Sequence, residues 1–156
     1  MKIVIGLLTG ILLFYLVSFG LMSKDSKRAR ETGLVNGTLR QCPGMPNCVV
    51  SEYNVKDSYI EPLAFSGEPV AAWKNVKDAV AELGGRLEKD DGGYLWATFR
   101  SSFWGFVDDL ELRMDGPGKV IQVRSASRVG KGDMGVNRKR VEKLRELFNT
   151  KMSKGR

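Results

Sequence analysis

No histidine occurs anywhere in the 156 residues. That absence excludes Ser-His-Asp and Cys-His nucleophile activation, HExxH-type zinc sites and pH switching by an imidazole. Only two cysteines are present, too few for a four-ligand structural zinc site. Neither lies near the end of the N-terminal apolar run, so attachment through a lipid-modified cysteine is excluded as well. Internal repeats and low-complexity tracts are also missing. Hydrophobic residues make up 42% of the chain and charged residues 28%, the make-up of a packed core rather than of disorder. One domain fits this length and two large ones do not.

What is present begins with Ile3–Met22, twenty residues without a charge, whose polar members are only Thr9, Tyr15 and Ser18. At about 1.5 Å per residue such a helix spans the roughly 30 Å hydrocarbon core of a bilayer. The rival reading is a secretory signal peptide, with Lys2 as its basic start and Ser18 and Gly20 as small residues before a cleavage point. The run exceeds the roughly 7–15 residues of a typical signal core, which favours an uncleaved anchor. The chain then divides into an anchor over residues 1–23, a basic tether over 24–40, a folded domain over 41–150 and a basic tail over 151–156.

The net charge of +7 is unevenly spread. Residues 1–40 carry six basic and two acidic side chains, residues 41–135 eleven and fourteen, and residues 136–156 eight and two. Two signals bear on which side of a membrane the domain occupies, and they disagree. Lys24, Lys27, Arg28 and Arg30 follow the apolar run, which by the positive-inside rule places the domain in the cytoplasm. Cys42-Pro-Gly-Met-Pro-Asn-Cys48 has the composition of a tight turn that brings two cysteines into disulfide range, and a bridge requires an oxidising compartment. Two buried free thiols are the other reading of the pair. The oxidised pair would put the domain on the periplasmic, extracytoplasmic side of the inner membrane.

Within the domain, Tyr59–Leu63 reads as a short edge strand because of its proline. Ser66-Gly-Glu-Pro69 offers a cap and a first-turn proline to an amphipathic helix carrying Val70, Trp73, Val76, Val80 and Leu83, stopped at Gly84-Gly85. Arg86–Lys89 and Tyr94–Arg100 flank the Asp90–Gly93 turn as a hairpin. Residues 106–114 alternate, with Phe106, Leu110, Leu112 and Met114 on a core face and Val107, Asp109, Glu111 and Arg113 on a wet one. Val120, Ile121 and Val123 mark a further strand within Lys119–Arg128. A last helix presents Val141, Leu144, Leu147 and Phe148 inward, and its charged residues, Arg138 and Arg140 among them, outward. The order predicts an α+β domain: a small, mostly antiparallel sheet with about two packed helices, preceded by a transmembrane helix.

Asp108 shares the parity of Leu110 and Leu112, so it faces the core side and needs a cationic partner, for which Arg124 and Arg128 are the candidates. The bland reading is a structural ion pair. The sharper one brings Asp108, Asp109, Arg124, Ser125, Ser127 and Arg128 together with the start of the last helix as a ligand site for a carboxylate or phosphate. Gly130-Lys-Gly-Asp-Met-Gly135 matches a dinucleotide-binding glycine pattern, but no parallel strand or ribose-binding acid follows before the chain ends. Asp133 competes with any ligand there as the cap of the helix. Metal binding by Asp108, Asp109, Glu111 and Asp133 is disfavoured by strand alternation, no cofactor is called for, and no nucleic acid is expected. Phe103, Trp104 and Phe106 around Gly105 read either as core wrapping a bend or as an exposed apolar lip for a partner or lipid.

Four ordered motifs carry a family resemblance. They are Cys42-Pro-x-x-Pro-Asn-Cys48-Val, Tyr59-Ile-Glu-Pro-Leu63, Gly105-Phe-Val-Asp-Asp-Leu-Glu111, and Arg124-Ser-Ala-Ser-Arg-Val-Gly130 followed by Asp133-Met-Gly-Val-Asn-Arg-Lys-Arg140. Together they resemble the DUF1499 family over roughly residues 40–150. Relatives tend to carry Ser where Val50 stands and an aromatic-Ser pair where Lys131-Gly132 stands, which weakens the glycine pattern further. The resemblance implies a bacterial or plastid-type protein with no assigned activity. Its motifs contain the polar candidates Asp108, Asp109, Arg124, Ser125, Ser127, Arg128, Asp133, Asn137 and Arg138, and it transfers no catalytic role. The expectation is a membrane-anchored binding or accessory module of the envelope whose partner is an anionic lipid or small anion. The rival is a hydrolase or transferase with Asp108 or Asp109 as general base, Ser125 or Ser127 nearby and Arg124 and Arg128 stabilising an oxyanion.

Overall fold

The computed structural model describes residues 2–28 and 31–154, so Arg30 of the expected tether and the last two residues of the tail lie outside the described residues. An apolar helix α1 (Lys2–Ser26) precedes strands β1 (Cys48–Val50) and β2 (Leu63–Ala64), helix α2 (Pro69–Glu82), strands β3 (Arg86–Asp90), β4 (Tyr94–Arg100), β5 (Val107–Asp115) and β6 (Val120–Ser127), and helix α3 (Val136–Lys154). The six strands form one sheet in the order β1-β6-β5-β4-β3, with β2 beside β1 on the free edge of β6. Strand pairing is antiparallel throughout. The α+β expectation holds, and the glycine loop before α3 leads into no parallel strand of the kind a dinucleotide fold requires.

Alternation along the strands sorts the side chains onto two faces. Leu95, Ala97, Leu110, Leu112, Ile121 and Val123 face α2 and α3, where Val76, Val80, Val141, Leu144 and Phe148 complete the main core. Proline at the first turn of α2 follows Glu68, which stands at the N-cap and forms no side-chain cap, and Val70, expected in the apolar stripe, is exposed. The α2–β3 junction is tight at Gly85. A Cβ there would stand 2.7 Å from Val80 Cγ1 and 2.8 Å from Phe99 Cζ. The expected Tyr59–Leu63 strand is shorter than the sequence suggested. Only Leu63 and Ala64 join the sheet, while Tyr59 forms an isolated bridge with Val50.

The opposite face is covered as well, which corrects the expectation of a wet side to β5. Asp109 and Glu111 are buried beneath the segment that was read as a tether. Leu39 within that segment is fully buried, packed with Val50, Tyr94, Ala126 and the cysteines. The Cys42–Cys48 disulfide forms, with a Cα–Cα distance of 5.7 Å, and closing so short a loop contributes about 2 kcal/mol on the chain-entropy model.

Two predictions follow from the core. Gly85→Ala should destabilise the domain by about 1–3 kcal/mol, because Val80 and Phe99 must both move, and denaturant titration of the two proteins measures the difference. Asp90 sits in the hairpin turn, where the Lys77 ammonium above all, with the Trp73 indole and the Gly92 amide, holds its carboxyl below the usual 3.8 against the opposing effect of burial. A carboxylate with a depressed folded value contributes stability that is full above its unfolded value and is lost as pH falls through the folded one. Unfolding titrations from about pH 5 down to 2 should therefore show wild-type stability falling more steeply than that of Asp90→Asn.

Candidate functional site

The sheet separates eight of the nine residues singled out from the sequence into two groups, and Arg138 joins neither. On the helix face stand Asp108, Ser125, Ser127 and Asn137, with Asp133 at the start of α3. The partner of Asp108 is neither Arg124 nor Arg128, which project from the other side. It is Arg140 of α3, whose Nη2 donates to Asp108 Oδ2 at 2.6 Å. Arg140, expected on the solvent face, is drawn inward because this carboxylate and the Phe99 ring, 4.7 Å from its guanidinium carbon, both favour a cation there. Its Nη1 also donates to Ser125 Oγ at 3.0 Å.

Ser125 and Asn137 have no exposed surface. The Ser125 hydroxyl donates to Asn137 Oδ1 at 2.6 Å, and Asn137 Nδ2 lies within hydrogen-bond distance of Asn47 O, Ser127 Oγ and Asp133 Oδ2. Asp133 caps α3, accepting from the Gly135 amide at 2.9 Å and the Asn137 amide at 2.8 Å, so its own carboxylate fills the place an anion would take. Arg138 points away from this cluster and donates to the carbonyls of Asp57 and Tyr59. The helix-face cluster is a closed network that fixes α3 to β6 and to the disulfide loop.

The other face carries a row of three arginine–carboxylate pairs. Arg128 grips Asp109 with Nε at 2.9 Å and Nη2 at 2.7 Å, and Trp96 Nε1 donates to the same carboxylate at 2.8 Å. Arg124 Nη1 donates to Glu111 at 2.7 Å, and the Arg113 guanidinium pairs with Glu52. Each pair also holds the chain that runs from α1 to the disulfide. Arg128 Nη1 donates to the carbonyls of Ser26 and Arg28, Glu111 accepts from the Gly33 amide at 2.8 Å, and Glu52 accepts from the Leu39 amide. Burial, together with the Glu111 carboxylate at 2.7 Å, pushes the Tyr94 hydroxyl far above its usual 10.0, so it remains a donor at every physiological pH.

Of the residues that make the ion pairs on both faces, sequence reasoning passed over Glu52, and it treated Glu111 only as a disfavoured metal ligand and Arg113 and Arg140 as solvent-facing. A signal for one pair was available. In the antiparallel register Glu111 stands directly across from Arg124, and opposite charges facing each other across two strands stabilise the pairing.

The chain matches a known family model over residues 38–148, described as a protein of unknown function (DUF1499). The chain belongs to the DUF1499 family. No curated protein matches it. In this DUF1499 protein the matched span contains both polar clusters and the disulfide, while α1 lies outside it.

Between α1 and the sheet lies a cleft of about 770 Å³. Leu21 and Met22 of α1, Pro43 and Met45 of the disulfide loop, the cations Arg124, Arg128 and Lys131 and the carboxylates Asp25, Glu31 and Asp109 are among the residues that line it. Arg124 Nε is itself buried and has no hydrogen-bond partner. The cleft therefore combines apolar walls with charges of both signs. Among the described residues no three Cys, Asp or Glu side chains cluster closely enough to hold a metal ion.

Because Asp109 and Arg128 are both nearly closed from solvent, with 5% and 6% of their side chains exposed, removing either leaves a buried unpaired charge. Asp109→Asn and Arg128→Gln should each cost about 3–5 kcal/mol. The double variant should cost less than the sum of the two. A double-mutant cycle by denaturant unfolding checks this.

Proposed function

We propose that this protein is a single-pass membrane-anchored binding module of the cell envelope, held in the inner membrane by α1 with its domain on the extracytoplasmic side. Its cleft takes the anionic head, phosphate or carboxylate, of a membrane-borne amphiphile. The observation that carries this reading is the cleft itself. Its lining brings Arg124 and the exposed Lys131 together with Leu21 and Met22, the last apolar residues of a helix long and apolar enough to cross a bilayer. An amphiphile lying alongside α1 would bring its head group to that height with no need to leave the membrane.

Retention of α1 is supported by its polar end. Ser23 Oγ donates to the Trp104 carbonyl and Ser26 Oγ accepts from the Val107 amide, ties between helix and domain that a retained anchor would use and a cleaved leader would not. The extracytoplasmic side is supported by the Cys42–Cys48 bridge, which outweighs the few basic residues after the helix because a structural disulfide persists only where it is not reduced. The hydrolase alternative has no observation in its favour. Ser125 is sealed from solvent, and Asp108 and Asp109 are each engaged by an arginine.

Full-length protein in detergent, titrated with short-chain phosphatidylglycerol and separately with inorganic phosphate, tests the reading by native mass spectrometry. The lipid should bind to the wild type and bind at least about fivefold more weakly to Arg124→Gln and to Lys131→Glu, each change removing a cation worth about 1 kcal/mol to an anion. Lys139→Gln, on an exposed position of α3 outside the cleft, should bind as the wild type does. Equal binding of inorganic phosphate would identify a free anion as the ligand class, and undiminished binding to both cleft variants would remove the cleft from the account.

A further inference from the structure

The loop between β4 and β5 contains Phe103, Trp104, Gly105 and Phe106, and it lies against α1. Trp104 stacks on Phe19 of the apolar helix, with ring centroids 5.1 Å apart, and Phe106 meets the same ring edge-on at 6.2 Å. Phe103 packs edge-on against Trp104 at 5.1 Å and yet leaves 86% of its surface exposed. A burial role does not account for so open an aromatic ring in a domain with a complete core elsewhere.

Depth along α1 gives the loop a place. The uncharged run ends at Met22, and Phe19 lies three residues inside that limit, about 4.5 Å at 1.5 Å per residue. A tryptophan stacked on Phe19 therefore stands at the boundary between acyl chains and head groups, the level at which tryptophan is enriched in membrane proteins. Exposed cations, Lys24, Lys27 and Arg100, stand beside it at the end of α1 and at the start of the loop, where anionic head groups would meet them. Gly105 has a φ of +68°, which lets the chain reverse between Trp104 and Phe106.

We propose that the Phe103–Phe106 loop is a second membrane contact, inserting its aromatic side chains into the bilayer interface beside α1. This fixes the domain's orientation on the lipid surface. The occupant of the exposed lip is lipid because the lip is continuous with a helix that is itself apolar enough to lie in the hydrocarbon. The inference rests on the reading that α1 is retained, and it is independent of whether the cleft binds a head group.

The test is tryptophan fluorescence of the full-length protein in liposomes of phosphatidylcholine brominated either near the head-group end or near the methyl end of the acyl chain. Of the three tryptophans, Trp73 and Trp96 are engaged with Asp90 and Asp109 in the domain, which leaves Trp104 as the lipid-facing reporter. Shallow bromines should quench more than deep ones, and the quenching should be lost in Trp104→Phe. Phe103→Asp, at a position that contributes nothing to the core, should reduce the quenching without shifting the unfolding midpoint. Full-length intact mass with no quenching, or with quenching unchanged in Trp104→Phe, overturns the insertion. An intact mass lacking α1 overturns the retained anchor instead.

Discussion

Three arginine–carboxylate pairs on one face of the sheet hold the rest of the molecule in place. Asp109–Arg128, Glu111–Arg124 and Glu52–Arg113 are each only partly satisfied by their own pairing. Arg128, Glu111 and Glu52 also bind backbone groups of the chain that joins α1 to the disulfide. A buried ion pair contributes little net stability unless its spare hydrogen-bonding capacity is filled. Here the carbonyls of Ser26 and Arg28 and the amides of Gly33 and Leu39 fill much of it, and Arg124 Nε stays unpaired. The charges need that segment as a cover, and the segment, in which Leu39 alone among the described residues is a large buried side chain, needs the charges to stay down.

From this coupling follows the position of the apolar helix. Arg128 takes up carbonyls at the end of α1, while Ser23 and Ser26 bond to the β4–β5 loop and the start of β5. The cleft at the foot of the helix and the aromatic loop beside it are then two features of one fixed geometry. The opposite face of the sheet has a different task. Asp108–Arg140, Ser125 and Asn137 lock α3 onto β6, and no side chain of that cluster is left over for a ligand.

Much of the fold was legible from local pattern. The helix over α2, the hairpin at Asp90–Gly93, the alternation of β5 and the Val141–Phe148 stripe all follow from periods of two and 3.6 residues and from turn chemistry. The disulfide was readable from the two prolines and the glycine between the cysteines. What alternation cannot reveal is whether a polar face meets water or another stretch of chain. Asp109 and Glu111 look like solvent residues, and they are buried only because residues 31–39, poor in apolar side chains, return across the sheet. The same limit misplaced Arg140. A charged residue on a helix reads as outward-facing until the strand beneath it is known to carry Asp108. Register was the missing quantity in both cases, since it sets Glu111 opposite Arg124 and leaves Asp108 to the helix.

The central claim is that the apolar helix, the segment after it and the sheet form one rigid unit. Amide hydrogen exchange on the full-length protein in lipid nanodiscs tests it most directly. The account predicts slow exchange at Gly33, Leu39 and Val107, whose amides donate to Glu111, Glu52 and Ser26, with protection at Gly33 and Leu39 lost together when Arg128 is replaced by Gln. Exchange across residues 31–39 as fast as in an unstructured peptide, while β5 and β6 remain protected, would contradict it and make the segment a free tether.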